Sequence, residues 1–152
     1  MKIDIIEFEE KYARDFKRLN LDWLDRYHLT ESHDLEILND PNGMILDRGG
    51  YIFLAIMDEK VIGTAALINE GDSKYELAKM SVTPEFRGQG IGKRLIEKCF
   101  QQARQTGAKK ISLFSNSKLQ AALNLYARYG FKHVPVKEAP FSTADVKMEF
   151  QF

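Results

Sequence analysis

The sequence predicts one mixed α/β domain of the α+β kind, and three observations lead there. Hydrophobic residues recur with period two in some stretches and at helical spacing in others, in an irregular order rather than strict alternation. That order is strand, two helices, three strands, helix, strand, helix, two strands. The 152 residues contain no repeat, linker or low-complexity segment and fit one domain over residues 1–152.

Lys2–Phe8 alternates apolar and polar residues and predicts the first strand. Tyr12, Phe16, Leu19 and Trp23 fall on one face of a helix over about Glu9–Leu24. A second, shorter helix is expected over Ser32–Leu38, ended by Asn39-Asp40-Pro41-Asn42-Gly43. The run YIFLAIM after Gly49-Gly50, a turn at Asp58-Glu59-Lys60 and the β-rich stretch Val61–Asn69 read as a hairpin. Gly71-Asp72-Ser73 is another turn, followed by a strand over Tyr75–Val82. A helix then runs to about Thr106, with Ile91, Leu95, Ile96, Cys99, Phe100 and Ala103 as its apolar stripe and Gly107 as its stop. Lys110–Phe114 reads as a strand, Leu119–Tyr129 as a helix, and Phe131–Val136 and Val146–Phe150 as the closing strands.

Composition narrows the function. Lys plus Arg and Asp plus Glu number 22 each, so no overall charge favours nucleic acid or an anionic membrane. Apolar runs fall far short of the roughly 20 residues that span a bilayer. The start MKIDIIEFEE carries acids where a signal peptide needs an apolar stretch, and a cytoplasmic protein is expected. Cys99 is the single cysteine and reads as a small core residue. His28, His33 and His133 lack the grouping and the thiols of a zinc site, so no metal is expected.

The stretch TPEFRGQGIGK at Thr83–Lys93 places Gly88, Gly90 and Gly92 between a strand and a helix. Amide groups at a helix start lack internal partners and carry partial positive charge, which suits a phosphate, and Arg87 and Lys93 add full charges. A tight strand-to-helix turn is the alternative. The loop matches neither a Walker loop, because Arg87 replaces the first Gly and Arg94 follows Lys93, nor a Gly-x-Gly-x-x-Gly fingerprint, because Lys93 stands at the last position.

Arg87-x-x-Gly90-x-Gly92 after MSVTPEF resembles the acetyl-coenzyme A signature of the GNAT N-acetyltransferase superfamily. The segment SNSKLQAALNLYARYGF at Ser115–Phe131 is similar to the family's later helix, which ends in Leu-Tyr and Gly-Phe. The resemblance implies a central, mostly antiparallel twisted sheet, splayed at the acetyl-CoA site and flanked by helices. It also implies direct transfer of an acetyl group from acetyl-CoA, as cosubstrate, to a primary amine of a small molecule or peptide.

By the same resemblance, Arg87, Gly88, Gln89, Gly90, Ile91, Gly92 and Lys93 hold the pyrophosphate, mostly through backbone. Met80 and Val82 pair with the pantetheine arm, and the Met80 amide faces the thioester oxygen, an oxyanion-stabilising role. Tyr126 matches the general acid; its alternative is a core tyrosine among Leu119, Leu123 and Leu125. A phenol of reference pKa about 10 stays protonated at pH 7 and faces a thiolate near 8.5. Glu76 resembles the base of some branches and would act on the amine, with Glu70 as the rival. Asparagine is common in the family seven residues before the tyrosine, where this chain has Leu119. Asn116 resembles a variant position for a coenzyme or acceptor contact, or caps the helix with Ser115 and Ser117.

Trp23, Tyr27, His28 and Phe141 are candidate acceptor-lining residues. Glu31, Asp34 and Glu36 either favour a cationic amine or stabilise a helix start. No nucleic-acid or membrane partner is expected, and a homodimer is left open. The rival readings are a non-catalytic acyl-CoA binding module and a structural domain without a coenzyme site.

Overall fold

Residues 2–27, 29–137 and 144–152 are described by a computed structural model. In chain order the elements are β1 (Asp4–Glu7), α1 (Ala13–Arg26), α2 (Ser32–Asn39), α3 (Pro41–Met44), β2 (Tyr51–Met57), β3 (Lys60–Gly71) and β4 (Lys74–Val82). Then come α4 (Ile91–Gln105), β5 (Lys110–Ser115), α5 (Gln120–Arg128), β6 (Lys132–Val134) and β7 (Val146–Gln151). The strands form one seven-stranded sheet in the order β1-β2-β3-β4-β5-β7-β6. Every neighbouring pair is antiparallel except β4 and β5.

The apolar run YIFLAIM is explained by burial on both faces. Phe53 and Ala55 of β2 face a layer with α4 and α5, whereas Ile52, Leu54 and Ile56 face a second layer with α1 and α2. The six stripe residues expected on α4 are all buried. On α1, Phe16 and Leu19 are buried as expected, but Trp23 is only half-buried and turns toward a pocket. Both hairpins use two-residue turns with positive φ at each centre, Asp58 and Glu59 in one and Asp72 and Ser73 in the other. Such turns match the right-handed twist of the strands.

Asn39–Gly43, expected to end a helix, ends α2 and begins α3. Asp40 accepts a hydrogen bond from the Gly43 amide at 3.0 Å, and Pro41 opens the new turn. Asp followed by Pro is the N-cap and N1 pairing, and that start signal prevails. The strand expected over Phe131–Val136 is confined to Lys132–Val134, which pairs only with β7 at the sheet edge. Among the described residues no helix is long and apolar enough to cross a membrane.

Leu95 is fully buried where α4 lies against the sheet. Leu95→Ala should lower stability by about 2–5 kcal/mol. In urea this would be read as a lower unfolding midpoint with unchanged slope.

Candidate functional site

The site begins where two strands separate. β4 pairs with β5 only over Lys74–Glu76 and Lys110–Ser112. Beyond that, Leu113–Ser115 of β5 pair with β7, while β4 continues beside β3 as far as Val82. The splay leaves one edge of β4 open between the two helical layers.

Two adjoining pockets fill the opening. The inner one, about 110 Å³, includes Glu76, Lys79, Asp34, Phe114 and Asn116 in its walls. The outer groove, about 820 Å³, runs along Val82, Arg87, Gly90, Lys93, α5 and Tyr27. Trp23, Met80, Leu119, Ala122 and Tyr126 line both. Met80 and Tyr126 therefore stand at the junction, and the Tyr126 hydroxyl lies 3.9 Å from the Met80 sulfur.

The two differ in charge, although the inner pocket holds Lys79 as well as carboxylates. The groove is lined by Arg87, Lys93, Lys118 and Arg128, with no carboxylate among its described residues. Both carboxylates of the site, Asp34 and Glu76, line the inner pocket. A chain with no net charge thus builds a locally cationic groove, which favours an anion.

Gly88 and Gly90 both have positive φ, 79° and 78°, and a Cβ at either would meet nothing within 4 Å. Their glycine requirement therefore lies in backbone sign, not crowding. Gly90 is the N-cap of α4, and the first amide bonded back to it is that of Arg94. The Ile91, Gly92 and Lys93 amides consequently precede the helix's own hydrogen bonding. Gly92 instead faces Met80 and Leu125, whose side chains would lie 3.4 and 3.5 Å from an added Cβ. Arg87 Nε donates to the Val82 carbonyl at 3.4 Å, tying the loop to β4.

The expected residues are largely brought together. Met80, Val82, Arg87, Gly88, Gly90, Ile91, Gly92, Lys93 and Tyr126 line the groove. Gln89 is exposed and is not among the described groove residues. Asn116 lies in the inner pocket instead of the groove, and its Oδ1 accepts a 2.9 Å bond from the Lys118 amide. That is an Asx turn before α5, whose N-cap is Leu119 and not Asn116. Glu70 accepts from Ser112 Oγ at 3.1 Å and lines neither pocket among the described residues. The Trp23 and Tyr27 rings pack at a tilt, their centroids 5.6 Å apart, beside the opening. His28 and Phe141 lie outside the described residues.

The acids near α2 have structural partners. Asp34 is 2% exposed, forms a capping box with Glu31 and an ion pair with Lys79. Glu36 lies 3.9 Å from His33 Nδ1. Sequence reasoning missed Lys79, whose backbone is left-handed at φ 50° in mid-strand. No local signal marks it, since β4 also carries Lys74, Glu76 and Ser81.

Burial tunes the titrating groups. Glu76 is half-buried, and burial first, then the Glu70 charge, pushes its carboxyl up to about 7 against the lowering pull of Lys79 and Lys147. Burial pushes the Tyr126 phenol up to about 12, with a smaller contribution from Cys99. Cys99 itself, 1% exposed, is pushed up to about 12 by burial. It is therefore an inert core thiol, not a nucleophile.

The acetyltransferase (GNAT) family model matches residues 7–131. The chain belongs to the GNAT acetyltransferase family. An uncharacterized N-acetyltransferase of Mycobacterium bovis is 33% identical over 105 residues, covering 69% of this chain and 63% of that protein. N-acetylaspartate synthetase of Xenopus tropicalis is 40% identical over 91 residues, covering 59% of this chain and 34% of that protein. The chain thus spans from about a third to just under two thirds of these relatives' lengths. A GNAT-family acetyltransferase from Staphylococcus aureus Mu50 superposes with TM-score 0.91 at 23% identity, covering 99% of each chain. PaiA N-acetyltransferase of Thermoplasma acidophilum, solved in complex with coenzyme A, gives 0.79 at 17% identity over 100% of each chain. These last two support the shared fold of this GNAT chain.

A carboxyl raised from 4.5 to about 7 binds its proton in the folded chain before the unfolded one does. Between those values the unfolded chain holds fewer protons, so Glu76 makes stability fall as pH rises. Glu76→Gln should therefore be more stable than the parent by about 1–3 kcal/mol above pH 7. Near pH 4.5 the two should converge, which melting curves at both ends would check.

Proposed function

We propose that the chain is an acetyl-CoA-dependent N-acetyltransferase, contained in one domain over residues 1–152, that transfers an acetyl group directly to a primary amine of a small molecule or peptide. The charge distribution carries this reading: a carboxylate-free cationic groove suits the anionic cosubstrate, and Glu76 of the inner pocket, where Asp34 is already paired with Lys79, suits the amine. Family membership supplies the reaction class.

In this reading Arg87, Lys93 and the Ile91–Lys93 amides hold the pyrophosphate, and Met80 and Val82 pair with the pantetheine arm along the open edge of β4. The acceptor nitrogen forms its bond to the thioester carbonyl carbon as the carbon–sulfur bond breaks. The Met80 amide faces the charge that gathers on the carbonyl oxygen. The amine's proton passes to Glu76, directly or through water. An ordinary carboxylate lies far below an ammonium of reference pKa about 10.4, and raising Glu76 to about 7 closes part of that gap.

Tyr126 gives its proton to the departing sulfur. A phenol near 12 would be a poor donor to a thiolate of ordinary pKa about 8.5. Burial beside Tyr126 would also raise the proton affinity of the departing thiolate, which narrows that gap.

A thiol-release screen over polyamines, amino acids, aminoglycosides and peptides, with mass spectrometry of products, tests the function. Tight binding of acetyl-CoA without turnover across the panel would indicate a non-catalytic acyl-CoA binding module instead. With an acceptor in hand, Tyr126→Phe should lower kcat by about 10²–10⁴. Unchanged turnover would remove Tyr126 as the acid. The parent's kcat/KM should fall as pH drops below about 7, where Glu76 becomes protonated, and Glu76→Gln should lose that limb. Gly90→Ala, forced to a positive φ, should weaken coenzyme A binding by about 5–30-fold, measured by calorimetry.

A further inference from the structure

The β3–β4 register steps from Ala66 opposite Ala78 to Thr64 opposite Ser81. Ala65 therefore faces two residues, Lys79 and Met80, which is a bulge. It falls on the part of β4 that β5 has already left. Lys79 carries its left-handed turn, although a lysine there has none of glycine's freedom.

Three attachments hold that turn. The Lys79 ammonium pairs with Asp34 of α2, the two side chains being 6% and 3% exposed. The Lys79 carbonyl accepts from Thr64 Oγ1 at 2.8 Å, and Thr64 Oγ1 accepts in turn from Asn20 Nδ2 of α1 at 3.1 Å. The second oxygen of Asp34 accepts from the Glu31 amide at 2.9 Å, so one carboxylate joins the start of α2 to the bulge. A buried ion pair is weak support for stability, because desolvation offsets its attraction. A strained lysine held by such a pair, next to the residue that meets Tyr126, is better explained by what it positions.

We infer that the Lys79–Asp34 pair is a positioning device for acetyl transfer: it holds the bulge that aims the Met80 N–H at the thioester carbonyl. The inference rests on the proposed role of Met80. Lys79 and Asp34 act through the backbone and are positioning residues. Lys79→Met with Asp34→Asn removes both charges together and leaves neither buried alone.

The probe is acetyl-CoA carrying ¹³C at the thioester carbonyl, bound to the protein without an acceptor and read by isotope-edited infrared spectroscopy. In the parent protein the carbonyl stretch should move to lower wavenumber than in solution. In the double variant most of that shift should vanish while coenzyme A affinity stays within about threefold. A shift kept in full by the variant would overturn the positioning role and leave the Met80 reading standing. No shift in the parent would overturn both, whereas acetyl transfer could still be scored separately by thiol release. If the double variant fails to bind coenzyme A, Asp34→Asn alone is measured in the same way: loss of the shift supports the positioning role, and a shift kept in full overturns it.

Discussion

The site depends on one constraint, that β4 must serve two neighbours and then release one of them. Its first three residues join β5 to the sheet, and its remainder stays with β3. Backbone groups on the released edge are then open to a ligand within the sheet rather than at its rim. Open polar backbone between two apolar layers is costly, so the edge needs both an occupant and an anchor. The anchor is the bulge at Lys79, fastened to α1 through Thr64 and Asn20 and to α2 through Asp34. The two N-terminal helices therefore do more than cover a face of the sheet. They hold the strand in the shape that makes the opening.

Once the opening exists, burial does the chemical tuning. Glu76 stands on the last paired residue of β4, far enough inside to lose much of its hydration and near enough to Glu70 to resist ionisation. Tyr126 projects from α5 against Met80, in surroundings that keep a phenol protonated. A phenol held protonated and a carboxyl raised toward neutrality follow from placement, without unusual residue types. The groove beyond them collects its four cations from the loop, α4 and the α5 segment, elements that are distant in sequence. That is how a chain balanced at 22 charges of each sign presents a single-sign surface to one ligand.

The glycine loop divides its labour. Gly88 and Gly90 supply backbone of the sign that brings the chain from β4 into the first turn of α4. Gly92 lies beside Met80 and Leu125, where loop, strand and α5 meet, and a Cβ there would make only ordinary contacts. The tight turn rests on Gly88 and Gly90, and the amides after it precede the helix's own hydrogen bonding. The turn creates the row of amides that the ligand reading needs.

Much of the fold was legible in the sequence because local pattern and tertiary burial agree. The six-residue stripe of α4, the β2–β3 hairpin and the strand–loop–helix setting of the glycines all follow from periodicity and turn chemistry. The candidate residues of the loop and Tyr126 were legible for a different reason, since they form motifs that resemble a family. What tertiary structure alone decided lies where distant segments meet. The insertion of β7 between β5 and β6 is a long-range pairing that no local pattern encodes. Asn116 went to the inner pocket because its side chain closes a local turn. Glu70 bonds Ser112, the β5 partner of Glu76, and so acts on Glu76 as a neighbouring charge from outside the pocket walls. Lys79 took a strained backbone because Asp34, forty-five residues earlier, is buried against it. Sequence determined which residues could build a cationic loop, an acid and a base, because spacing along one element is local. Their meeting at two adjoining pockets, with Tyr126 at the junction, required the fold, because charge and burial depend on neighbours across space.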